Sequence, residues 1–176
     1  MSSPTFHTFY SGTYKGNWYL RYDSECTLED IVEEIVRGKV KPKLECPAII
    51  LNRFKEVATK HGPTIKNRYE YLDHTTGWFA LDVDACGKYT AVVKQTLFDK
   101  LPELKIVWVS SSGEGVKGIG FTDRLRGLTP DRFKAEYRLL SLRLRHKSKM
   151  KINFDQAMGR CHQPVFLNSD KKALVR

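Results

Sequence analysis

The stretch GWFALDVDACGKYT, Gly77–Thr90, is an apolar run that closes on two aspartates, Asp82 and Asp84. Its first half reads as a buried strand. Successive strand side chains alternate faces, so Asp82 and Asp84 share one face while Leu81 and Val83 turn into the core. Two carboxylates on one face repel each other unless a cation sits between them, and oxygen donors of this kind suit Mg²⁺ or Mn²⁺. Two exposed aspartates at a strand-to-helix turn, with Asp84 as a helix cap, explain the same stretch.

Outward from this run the pattern alternates. YTAVVKQTLFDKL reads as a helix whose Tyr89, Val93, Leu97 and Leu101 recur every four residues, KIVWVSS as a strand, and GVKGIGF as another. Upstream, PAIILNRF (Pro47–Phe54) reads as a buried strand. Thr27 caps a helix, LEDIVEEIVRG, with acidic residues in its first turn and Gly38 as its stop. The aromatic segment from Phe6 to Tyr22, broken at Ser11-Gly12 and Gly16-Asn17, reads as one or two short hairpin strands. From Asp131 to about Lys149, Phe133, Tyr137, Leu140 and Leu144 form one narrow helical stripe, with Lys134, Arg138, Arg145 and Lys149 on the opposite side. PVFLNSD is expected as the last strand. Strands alternating with helices and hairpins predict a mixed-sheet α/β or α+β protein.

The chain has 176 residues, the length of one domain, and no apolar run approaches a membrane span. The N-terminal residues lack the apolar region of a secretory signal, so a cytoplasmic protein with no membrane partner is expected. Cys26, Cys46, Cys86 and Cys161 are widely spaced with no CxxC, so buried reduced thiols are expected rather than zinc. The net charge of +10 falls entirely in residues 115–176, which carry 15 basic and 5 acidic side chains, while residues 1–114 balance at 15 and 15. That asymmetry is expected of a surface that tracks phosphates.

Two further constellations lie downstream of the aspartates. SSSGEGVKG, Ser110–Gly118, offers hydroxyls, approachable backbone N–H groups and one ammonium, which is the chemistry a triphosphate needs, although Gly-Glu-Gly is also ordinary hairpin sequence. Strand parity sets Lys117 on the face of Ile119 and Phe121, so reaching a polar site requires a bulge or a reoriented loop. The third constellation is Asp155 in INFDQAMGRC, followed by Arg160.

In this order, FALDVD, SSSGEGVKG and NFDQAMGRCHQPVFLNSD resemble the three motifs of the archaeo-eukaryotic primase superfamily, especially the primase-polymerase domains of phages, plasmids and mobile elements. The likeness spans roughly residues 28–170. It implies an RRM-like central sheet with helices behind it (residues 71–176) and an N-terminal accessory α/β unit (residues 1–70). It also implies a template-dependent nucleotidyltransferase of bacterial or phage-infected cells, using two Mg²⁺ or Mn²⁺ ions at Asp82, Asp84 and Asp155. Ser110, Ser112, Lys117 and Arg160 would contact nucleotide phosphates. Lys134, Arg138, Arg145 and Lys149 would hold a single-stranded DNA template, and a replicative helicase or a C-terminal accessory domain would be a further partner. The departure from the pattern is Lys117, where many members carry histidine.

The competing expectation is a nucleic-acid-binding module of a replication complex that has lost activity. Other DxD enzymes fit less well. Glycosyltransferase domains are longer, dehalogenase-type phosphatases want Thr or Val where this chain has Cys86, and the five histidines form no HxH pair for a rolling-circle nuclease.

Overall fold

The computed structural model describes residues 4–14 and 17–176. Strands β1 (Thr5–Tyr14) and β2 (Asn17–Thr27) pair antiparallel from end to end, with one register shift between His7 and Phe9. The break expected at Ser11-Gly12 is absent: both residues sit in register, opposite Leu20 and Tyr19. Glycine is used there for closeness, since a Cβ at position 12 would lie 2.8 Å from the Tyr19 ring. The other expected break, at Gly16-Asn17, falls partly outside the described residues.

Helix α1 (Leu28–Arg37) begins where its capping signal predicts. Thr27 Oγ1 accepts from the Asp30 N–H (3.2 Å), and the Asp30 carboxylate accepts from the Thr27 N–H (2.8 Å). PAIILNRF splits into β3 (Ala48–Ile50) and β4 (Arg53–Phe54) because Asn52, between them, turns inward. Its amide donates to the Cys161 carbonyl (2.9 Å) and accepts from the Thr76 N–H (3.1 Å), tying three distant segments together. A hairpin of β5 (Glu56–Thr59) and β6 (Gly62–Ile65) and then β7 (Leu72–His74), which pairs with β4, lead into the strand that carries the two aspartates.

Strand β8 (Thr76–Val83) is followed by α2 (Thr90–Lys100), β9 (Leu104–Val109), β10 (Val116–Arg126) and α3 (Pro130–Ser148). Short strands β11 (Val165–Phe166) and β12 (Leu174–Val175) close the chain. Two four-stranded sheets result, ordered β11-β3-β1-β2 and β12-β9-β10-β8. In the second, β8 and β9 run the same way with α2 crossing between them. Strand β10 is inserted between the two, so every hydrogen-bonded pair is antiparallel. Strand β11, from the last part of the chain, joins the N-terminal sheet, and one core holds Phe6, Ile31 and Ile49 together with Leu81, Leu97, Trp108 and Tyr137. The fold is therefore α+β with both sheets sharing a centre. Among the described residues no helix is long and apolar enough to cross a membrane.

On α3 the expected stripe is the buried one: Phe133, Tyr137, Leu140 and Leu144 are inside. On α2, Val93 and Leu97 are buried and Leu101 just beyond it is too, but Tyr89 is 60 % exposed. It lies in a single 3-10 turn, Gly87–Tyr89, ahead of the helix, and the tighter winding rotates it off the packing stripe.

Candidate active site

Asp82 is the penultimate residue of β8 and Asp84 lies one residue past its end. The two differ in surroundings, Asp82 buried and Asp84 exposed. Between Asp84 and α2 the chain turns sharply at Ala85, which adopts a left-handed conformation (φ 55°). Asp155, more than 70 residues later in sequence, is brought beside this strand end by the backbone: its N–H donates to the Asp82 carbonyl (2.8 Å). Its carboxylate also accepts from the Ala157 N–H (2.8 Å), capping a short 3-10 turn, Gln156–Gly159. The three aspartates thus meet at one end of the sheet, and one of them is also a cap.

Lys117 faces Asp82 directly across the β8–β10 ladder, and no bulge is needed to bring it there. The pairing runs without interruption from Val116 opposite Val83 to Phe121 opposite Trp78, so Lys117 shares the face of Asp82 as well as that of Ile119. Strand parity places the lysine correctly, and what parity lacks is the register that sets an acid opposite it. The Lys117 ammonium donates to Asp82 Oδ2, both side chains being largely buried. Asp82 Oδ1 is buried without a hydrogen-bond partner. Burial pushes the Asp82 carboxyl above its ordinary value. Lys117 opposes that rise, and the charges of Asp84 and Asp155 add to it.

The serine-glycine segment forms the tight β9–β10 turn. Ser110 Oγ accepts from the Gly115 N–H (3.0 Å) and lies 3.0 Å from Ser112 Oγ, and the Gly113 N–H donates to the Ser110 carbonyl (3.0 Å). The turn packs on the chain after the aspartates: the Cys86 N–H donates to the Glu114 carbonyl (2.6 Å) and the Thr90 hydroxyl to the Gly113 carbonyl (3.2 Å). A Cβ at Gly115 would come 2.8 Å from the Val83 carbonyl, so only glycine fits there. In this arrangement the serine hydroxyls serve the turn.

Arg160 is exposed and lines a crevice beside Trp78 and Phe79. That is four strand residues from Asp82, about 13 Å along β8. Lys134, Arg138 and Arg145 are exposed on α3, and Lys149, also exposed, is not in the helix but caps it one residue past its end in a left-handed conformation (φ 56°). The C-terminal end of that helix, at Lys149, runs into the segment Met150–Asp155, which forms one wall of a cleft of about 640 Å³. The opposite wall is Val83, Asp84, Ala85, Tyr89 and Val93. Sequence reasoning misses the contributions of Tyr89 and Lys151 to this cleft. Tyr89 fits the α2 periodicity too well to stand out, and Lys151 carries no local pattern that distinguishes it from its basic neighbours.

Among the described residues no three His, Cys, Asp or Glu side chains are gathered closely enough to hold a metal ion as they stand. The donor chemistry nevertheless fits a hard divalent cation. Asp82 offers a buried, unpartnered oxygen, and its ionisation is resisted by the two neighbouring carboxylates, a repulsion that a cation would relieve.

No family model and no curated protein matches this chain. Among solved structures, a likeness is found to the polymerase domain from Mycobacterium tuberculosis Ligase D in complex with DNA, with a TM-score of 0.46 and 11% identity over 90% of this chain. The chain spans 56% of that structure's length.

Proposed function

We propose that the protein is a template-dependent nucleotidyltransferase of the primase-polymerase type, joining nucleotides on single-stranded DNA. The observation that carries the reading is the hydrogen bond from the Asp155 N–H to the Asp82 carbonyl, which joins two acids far apart in sequence next to a cleft that Asp84 and Asp155 line. Asp82, Asp84 and Asp155 would hold divalent ions there. Such ions supply a lowered pKa for the attacking hydroxyl and offset the charge of the departing pyrophosphate. The protein's own part is placement of charge. The exposed cations of α3 and its C-cap, from Lys134 to Lys149, would meet the template backbone, and Lys117 would meet the triphosphate. The cleft wall at Tyr89 offers an aromatic surface to a base or sugar.

The test is incorporation of labelled nucleotides on a single-stranded template, with and without primer, in Mg²⁺ and in Mn²⁺. Incorporation by the wild type that falls to background in the Asp82→Ala/Asp84→Ala variant is the expected result. Equal activity in the two proteins would overturn the assignment.

A second reading, a nucleic-acid-binding module without catalysis, is favoured by one observation: Lys117 already neutralises Asp82. Single-stranded DNA binding without incorporation in either metal would select it. Under both readings, alanine at Lys134, Arg138, Arg145 and Lys149 weakens DNA binding irrespective of sequence. It also flattens the salt dependence, by about 0.7 in log–log slope for each phosphate no longer neutralised.

A further inference from the structure

Lys117 and Asp82 form a directly opposed cross-strand pair within an uninterrupted ladder, so the backbone fixes both Cα positions. The four-carbon lysine stem can still swing. Among the described residues the ammonium has one hydrogen-bond partner, Asp82 Oδ2, while the second oxygen of that carboxylate is buried and unpartnered. Any cation that ligates Asp82 meets the positive charge of Lys117 on the other oxygen. A polyanion arriving at this end of the sheet offers that ammonium another place to go.

We propose that Lys117 is an internal counter-ion that couples divalent-metal binding at Asp82 to the binding of a nucleoside triphosphate: it holds metal affinity low until the triphosphate takes up its charge. The inference rests on the nucleotidyltransferase reading above, since it assumes that Asp82 is a metal ligand. By reciprocity, the metal favours the triphosphate as much as the triphosphate favours the metal. Lys117 acts here through Asp82, as a positioning residue whose role shows in binding before any chemistry occurs.

The test is Mn²⁺ binding to the full chain, measured by electron paramagnetic resonance, with and without a non-hydrolysable nucleoside triphosphate. Complexes of Mn²⁺ with free nucleotide are common to all variants, so differences between variants report the protein. Lys117→Met is expected to bind Mn²⁺ alone on the order of tenfold tighter than wild type. It should also lose most of the tightening that the triphosphate gives the wild type, whereas Lys117→Arg behaves like wild type. Should Lys117→Met fail to fold, as judged by circular dichroism, Lys117→Gln gives the same contrast by keeping a hydrogen-bond donor without the charge. Equal or weaker Mn²⁺ binding by the uncharged variant overturns the coupling. Mn²⁺ binding by the wild type that Asp82→Asn leaves unchanged, or no binding by any variant, overturns the metal site itself and with it the reading on which the proposal rests.

Discussion

Two buried lysine–aspartate pairs brace this protein, and they are built to opposite designs. Lys94 with Asp170 and Lys117 with Asp82 are equally hidden, with side-chain exposures of 9% and 12% in the first pair and 11% and 11% in the second. Asp170 is saturated. One oxygen accepts from Lys94 Nζ (2.9 Å) and the Val109 N–H (2.9 Å), and the other accepts from the Lys172 N–H (2.9 Å). Burial alone would raise its carboxyl, but these donors outweigh burial and hold it below its ordinary value. Asp82 has one donor, an unpartnered oxygen and two neighbouring acids, and stands above its ordinary value. Equal burial with unequal satisfaction separates a carboxylate that fastens the chain from one that is left with capacity to bind.

The contrast breaks most readily on stability. Asp170→Ala leaves the buried Lys94 ammonium without its counter-ion, on the Lys172 carbonyl alone, and strands two backbone donors, so it should cost about 3–5 kcal/mol in urea unfolding. Asp82→Asn removes a charge that two neighbours repel, and should cost clearly less. If Asp82→Asn proves the more damaging, the distinction between fastening and binding acids fails.

Acid titration sharpens it further, because the two pairs have opposite signs. The depressed Asp170 contributes stability above the unfolded carboxylate pKa that is lost as pH falls through its folded value. The raised Asp82 costs stability when ionised, and that cost is relieved as pH falls through its folded value. A third buried group, His7, acts in the milder range. Its Nε2 accepts from the Phe54 N–H (3.3 Å), and burial and then Arg53 pull it down to about 4, against opposition from Glu25. Although Glu25 lies 3.7 Å away, His7 is therefore neutral at pH 7 and that contact is no ion pair. The unfolded chain takes up a proton near pH 6.5 that the folded chain refuses until about pH 4, so stability falls as pH drops between those values, by at most about 3 kcal/mol. His7→Gln should flatten the histidine's contribution to unfolding midpoints over that window while leaving the two aspartate effects in place.

The smallest expected effect concerns backbone strain beside the binding acids. Ala85 holds a left-handed conformation that glycine adopts freely, so Ala85→Gly should raise stability by about 0.5 kcal/mol after the entropic cost of glycine. A thermal-melt shift in the opposite direction would mean that the Ala85 methyl packs against the cleft in a way the turn geometry does not require.

Local signals carry much of this architecture. The Thr27 capping box, the 3.6-residue stripe of α3 and the apolar run of β8 each depend on neighbours in sequence, and each element forms where its pattern lies. Non-local chemistry is less legible. Asn52, which splits PAIILNRF by bonding Cys161 and Thr76, reads as one more residue of a strand. The short strands from Glu56 to His74 carry little alternation, and β12 pairs through two residues. The serines of SSSGEGVKG are legible as hydroxyls, but turn closure against Gly115 is a tertiary use of them.

Composition and periodicity are local properties, and they suffice to put two acids at the end of a buried strand, a glycine-rich turn and a third acid after them, and positive charge late in the chain. Which of those groups come together is settled by the packing of distant segments. The ladder register sets Lys117 opposite Asp82, and the return of the chain after α3 sets Asp155 against the same strand. Pairing between distant segments depends on hydrogen-bond register and on how a shared core closes, and neither is written in the spacing of residues along one strand.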